Sequence, residues 1–75
     1  MEKNWVCIYS TDTIHLAEIA KAVLEEHDIE SVIINKKDSN HLFGYIEIYV
    51  NRKNALTGKY IIRNIEDSEP ENRNT

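Results

Sequence analysis

Residues 45–50 read YIEIYV, and their alternation constrains the chain more than any other feature. Side chains on a strand point to opposite faces in turn. Ile46, Ile48 and Val50 therefore share one face, and Tyr45, Glu47 and Tyr49 share the other. A strand patterned this way belongs to a sheet covered on one side only. Any helices must gather on the Ile46–Ile48–Val50 side.

Two further segments read as strands. WVCIYS, residues 5–10, is rich in β-branched and aromatic residues, and ESVIIN, residues 30–35, is a short apolar run between polar residues. Between them, residues 11–28 repeat apolar side chains at helical spacing, with Leu16, Ala20, Val23, Leu24 and His27 on the stripe. Thr11 or Asp12 is the expected cap, and Glu18 with Lys21 the expected favourable pair. A second helix is expected from a cap at Asn51, with Ala55, Gly58, Ile62 and Ile65 on its inner stripe. The order is strand, helix, strand, strand, helix.

A nine-residue loop, Lys36 to Gly44, joins the second and third strands as an antiparallel hairpin. Asp38, Ser39 and Asn40 make turns through side-chain to backbone bonds, and Gly44 suits a bulge or a positive φ. Leu42 and Phe43 are expected to form a lid over a core edge or a partner contact. Placing the third strand between the other two gives an α+β, two-layer, ferredoxin-like sandwich. This is a split β-α-β arrangement, β-α-β-β-α, with both helices on one face of a three-stranded sheet. Residues 1–65 form one domain, and 66–75, polar, acidic and containing a proline, are expected to be a disordered tail.

The alternation also selects a surface. Val6 and Ile8 match the buried face of the third strand, so Trp5, Cys7 and Tyr9 are expected to point the other way. Trp5, Tyr9, Tyr45 and Tyr49 would then form an aromatic patch on the uncovered side. Such a patch marks self-association, a contact with another partner or ligand, or a surface over which the chain's own tail or a loop folds back. The chain has 75 residues, and cores of this size supply only about 3–5 kcal/mol without help. Cys7 is its only cysteine, which rules out an internal disulfide. Self-association through the aromatic face is therefore the expected source of added stability.

Charge narrows the function classes. The net charge is −4, with six of the nine basic residues in 36–63. An acidic chain is a poor sequence-independent binder of nucleic acid. The third strand also differs from an RNA-recognition motif, with Phe43 at the basic position and Glu47 at the second stacking position. An RNA-binding sheet is thus a minor alternative. Arg52 and Lys53 at a helix start, with Lys36, Lys37 and His41 in the loop, are candidates for a small-anion or partner contact. His15 and His27, twelve residues apart on one helix, cannot share a metal. No catalytic constellation, metal site or cofactor motif stands out, and binding rather than enzymatic catalysis is expected. There is no membrane-spanning run and no signal peptide, so the expected location is cytoplasmic.

From Trp5 to Ile65 the chain resembles a small bacterial family of unknown function labelled "putative prokaryotic signal-transducing protein". The resemblance lies in the order and spacing of Leu24 and Glu25, Ile29, Asp38 and Ser39, Gly44, Val50 and Ala55. It implies a regulatory role and a fold similar to that of the PII-type nitrogen regulators, with an anion or nucleotide sensor as the alternative function. The loop of PII-type proteins between these strands is much longer than Lys36–Gly44. Asp28 stands where the family often has Gly, and Asp tolerates the left-handed conformation such a turn needs. Gly58 stands where the family usually has a small residue such as Ala, and Gly permits closer packing on the sheet.

Overall fold

The computed structural model describes residues 4–36 and 46–68. Strand β1, Trp5–Thr11, leads into helix α1, Ile14–Glu26. Strands β2, Ser31–Asn35, and β3, Ile46–Asn51, follow. One 3₁₀ turn, Arg52–Asn54, then opens helix α2, Ala55–Ser68. The sheet order is β1-β3-β2, with both pairings antiparallel. This is the expected ferredoxin-like β-α-β-β-α arrangement. Helix α2 continues to Ser68, past the expected tail boundary at 66. Residues 69–75 lie outside the described residues.

The core is a single cluster under the two helices. Ile46, Ile48 and Val50 are fully buried, as their alternation requires. α1 contributes Ala17, Ala20 and Leu24, and α2 contributes Ile61 and Ile62. Leu16 lies at the margin of the α1 stripe instead of inside it, and the small Ala17 takes the inner place. Gly58 faces the sheet with little space to spare. A Cβ there would stand 2.8 Å from Ile8 Cδ1 and 3.6 Å from Leu24 Cδ2. The missing side chain lets α2 lie close to the sheet.

α1 ends in a Schellman motif. The Ile29 amide donates to the Leu24 carbonyl at 3.0 Å, and the Asp28 amide donates to Glu25 at 3.0 Å. Asp28 takes the left-handed position at φ 61°, as expected of Asp in place of Gly. Leu24 and Ile29 are both buried, which supplies the apolar contact this motif favours.

The other end of α1 differs from expectation. Thr13 is the N-cap residue and makes no side-chain capping bond. Thr11 Oγ1 instead accepts from the Thr13 amide at 3.1 Å and holds the turn before the helix. Lys21 pairs with Glu25 at 2.6 Å, not with Glu18, because its ammonium also donates to the Ser31 carbonyl at 2.9 Å. That second bond draws the side chain towards β2.

The register of β1 carries the main correction. Val6 pairs with Val50 and Cys7 with Tyr49, but the next pair is Tyr9 with Ile48. Ile8 is the extra residue of a β-bulge. The bulge shifts the alternation by one, so Ile8 and Tyr9 both pack against the core. Tyr9 borders a small cavity of about 120 Å³ with Leu16, Ile19, Ile62 and Ile65. It is not part of the uncovered face on which simple alternation placed it.

Candidate functional site: the uncovered sheet face

Removing Tyr9 leaves a different surface from the one expected. Register places Trp5, Cys7 and Ser10 of β1 on the side away from the helices. Glu47 and Tyr49 of β3 are their neighbours, and Val32 and Ile34 of β2 complete the face opposite Tyr49 and Glu47. Tyr45 lies outside the described residues. Val32 and Ile34 went unnoticed because SVIIN is apolar at three consecutive positions. An unbroken apolar run carries no alternation, and only the pairing with β3 assigns these two side chains to a face.

A polar set is fixed in this apolar surround. The Tyr49 hydroxyl donates to Glu47 Oε1 at 2.8 Å, and the Lys36 ammonium lies 3.1 Å from the same oxygen. The Tyr49 hydrogen bond, then that of Lys36, holds the Glu47 carboxyl below its ordinary value. The bond to Glu47 raises both Lys36 and Tyr49. Each stays protonated to higher pH because its proton lies against a carboxylate. The three groups occupy one another. Cys7, exposed, donates its thiol to the Tyr9 carbonyl at 3.4 Å, across the bulge.

Among the described candidates for an anion contact, Lys36 is not brought together with Arg52 and Lys53, which lie at the other end of β3. Lys36 is held by Glu47 on the sheet face. Lys37, His41 and the lid residues Leu42 and Phe43 lie outside the described residues. Arg52 and Lys53 form the 3₁₀ turn, where Asn51 Oδ1 accepts from the Lys53 amide at 3.1 Å, the expected cap. Lys53 lines a cleft with Trp5, Asp28, Glu30, Asn51 and Asn54. Two carboxylates in that cleft oppose the binding of a simple anion. Among the described residues no group of three or more His, Cys, Asp or Glu is placed to hold a metal. No helix among them is long and apolar enough to cross a membrane.

Among the described residues, these features define a small α+β protein with both helices on one face of the sheet and an ionic set within an apolar surround on the other. The chain belongs to the family described as "Putative prokaryotic signal transducing protein", whose model matches residues 5–66. No curated protein and no solved structure was found to match it.

Proposed function

We propose that the protein is a small regulatory binding module that works without catalysis and self-associates through its uncovered sheet face. One observation carries this reading. Trp5, Val32, Ile34 and Tyr49 lie together on the side of the sheet that neither helix covers. Contiguous apolar surface of this kind marks an interaction site, and Trp and Tyr are enriched at such contacts. The Glu47–Lys36–Tyr49 set gives the face a fixed polar point that a matching copy must accommodate. The family description fits a role in signalling, and the absence of a spanning helix among the described residues fits a cytoplasmic one.

The test is solution mass by light scattering at two concentrations, for wild type, Tyr49→Glu and Val32→Lys. The expected result is a wild-type oligomer that both substitutions dissociate while circular dichroism stays unchanged. A wild-type monomer, or an oligomer indifferent to both changes, overturns the reading.

A further inference from the structure

The helices also present an outer surface, on the opposite side of the molecule from the sheet face. α2 buries Gly58, Ile61 and Ile62, and its far side carries Leu56, Lys59, Tyr60 and Arg63 at helical spacing. Leu56 is 84% exposed and Tyr60 is 65% exposed. These four residues line a shallow groove of about 250 Å³. Residues 52–63 contain four basic groups and no acidic one, within a chain of net charge −4.

The far side of α1 has the opposite sign. Glu18, Ala22 and Glu26 are exposed and four residues apart, so they form one stripe. Residues 12–30 contain six acidic groups and one basic. Between the two stripes runs an apolar groove of about 480 Å³, with Val23 on one wall and Tyr60, Ile61 and Ile65 on the other. Leu16 and Ile19 remain partly open further along α1. The helical layer thus reads acidic, apolar, basic from α1 to α2.

We infer that this layer is a second self-association surface, occupied by the same layer of another copy. Both stripes project from one side of the molecule. A two-fold axis through the groove sets α1 on the other copy's α2, and α2 on its α1, in a single contact. Interfaces with two-fold symmetry pair each patch with its complement twice. The result has an apolar centre and charged flanks, the usual anatomy of a protein interface. Complementary flanks fix the register and exclude the alternative in which like helices face each other. The two cations of the basic stripe, Lys59 and Arg63, are too few for strong binding to a phosphate backbone, and the acidic stripe beside them repels one. This inference does not depend on the sheet-face reading.

The experiment reverses charge on exposed positions only, in the Tyr49→Glu background and in wild type. One variant carries Lys59→Glu and Arg63→Glu, a second carries Glu18→Lys and Glu26→Lys, and a third carries all four. Sedimentation velocity is measured in low salt and in about 0.5 M NaCl, where charge interactions are screened. The inference expects salt-sensitive association of the parent chain, weakened on the order of tenfold in either double variant. It expects that association to return in the fourfold variant, whose charges are complementary again. Circular dichroism verifies folding, and Tyr60→Ala, which leaves every charge in place, is expected to weaken the same contact. Association unchanged by the double variants, or absent from the fourfold variant, overturns the inference. So does a parent chain that binds heparin but not itself. Because the sheet face is removed by Tyr49→Glu and the helical face by charge reversal, failure of one reading is distinguishable from failure of the other.

Discussion

Gly58 of α2 and Ile8 of the β1 bulge occupy one point in the core, where a Cβ on the first would stand 2.8 Å from Cδ1 of the second. Ile8 points inward, as alternation from Val6 requires, and the glycine leaves room for it. Gly58→Ala sets two effects of similar size against each other. Ala in place of Gly favours a helix interior by about 1 kcal/mol. Overpacking in a core costs about 1–3 kcal/mol, here at the low end because the opposing atom is a side-chain tip. The single variant is expected within about 1 kcal/mol of wild type. Combined with Ile8→Val, which removes the opposing carbon, Gly58→Ala is expected to stabilise by about 1 kcal/mol relative to Ile8→Val alone. Urea denaturation of the four proteins measures this coupling, and strictly additive effects would contradict the contact.

The bulge makes a second prediction. Tyr9 packs with Leu16, Ile19, Ile62 and Ile65, whereas Cys7 is exposed on the other face. Tyr9→Ala is expected to lower stability by about 2 kcal/mol, less than a fully buried aromatic loses. Cys7→Ala is expected to change it by less than about 0.5 kcal/mol. Under the proposed self-association through the sheet face, the folded fraction of Tyr9→Ala should have the same solution mass as wild type. If it becomes monomeric while remaining folded, Tyr9 lies on the interface after all.

Ser31 offers a gain in stability. Its residue is 4% exposed, and its hydroxyl is buried with no hydrogen-bond partner among the described residues. The bond from Lys21 goes to its carbonyl, which any residue retains. Ser31→Ala is expected to stabilise by about 1 kcal/mol because it removes an unsatisfied buried group. A loss on thermal or urea unfolding would show that the hydroxyl is satisfied.

The ionic set on the sheet face predicts how stability varies with pH. Glu47 is lowered in the folded protein, so its contribution is present above its ordinary value of 4.5. That contribution is lost as pH falls through the lower folded value. Lys36 and Tyr49 are raised above 10.5 and 10.0, so their contributions are present below those values and lost as pH rises through the folded ones. Glu47→Gln removes the carboxylate on which all three shifts depend. The stability difference between wild type and this variant should be flat from about pH 5 to pH 9 and shrink on both sides. Denaturation curves that stay parallel across the range would exclude the set as a source of stability.

Much of the fold was legible because β3 states its own orientation. With Ile46, Ile48 and Val50 inward, helix placement and sheet order follow from short connections and few alternatives. The αL turn at Asp28 was also legible, since a short polar residue before Ile29 suits that conformation. The candidate face was legible only in part. Val6 and Ile8 sit two apart, which is what an unbroken strand would show. The bulge declares itself only when β1 is paired with β3, and no local pattern places Tyr9 inside. Ala17 and Ile61 were missed for a related reason. The helical stripes were read from the larger or more regularly spaced apolar residues, whereas close packing on the sheet selects by fit.

The Lys21 ammonium on the Ser31 carbonyl bears on how copies can join. Ser31 begins β2, an outer strand of the sheet, and a carbonyl on such a strand is an open invitation to one more strand. Here a cation already answers it, itself held by Glu25. A newcomer at this border would have to dislodge a charge before forming its first backbone bond. The border thereby resists continuous cross-chain sheets, the route to fibres, and leaves growth to contacts between layers.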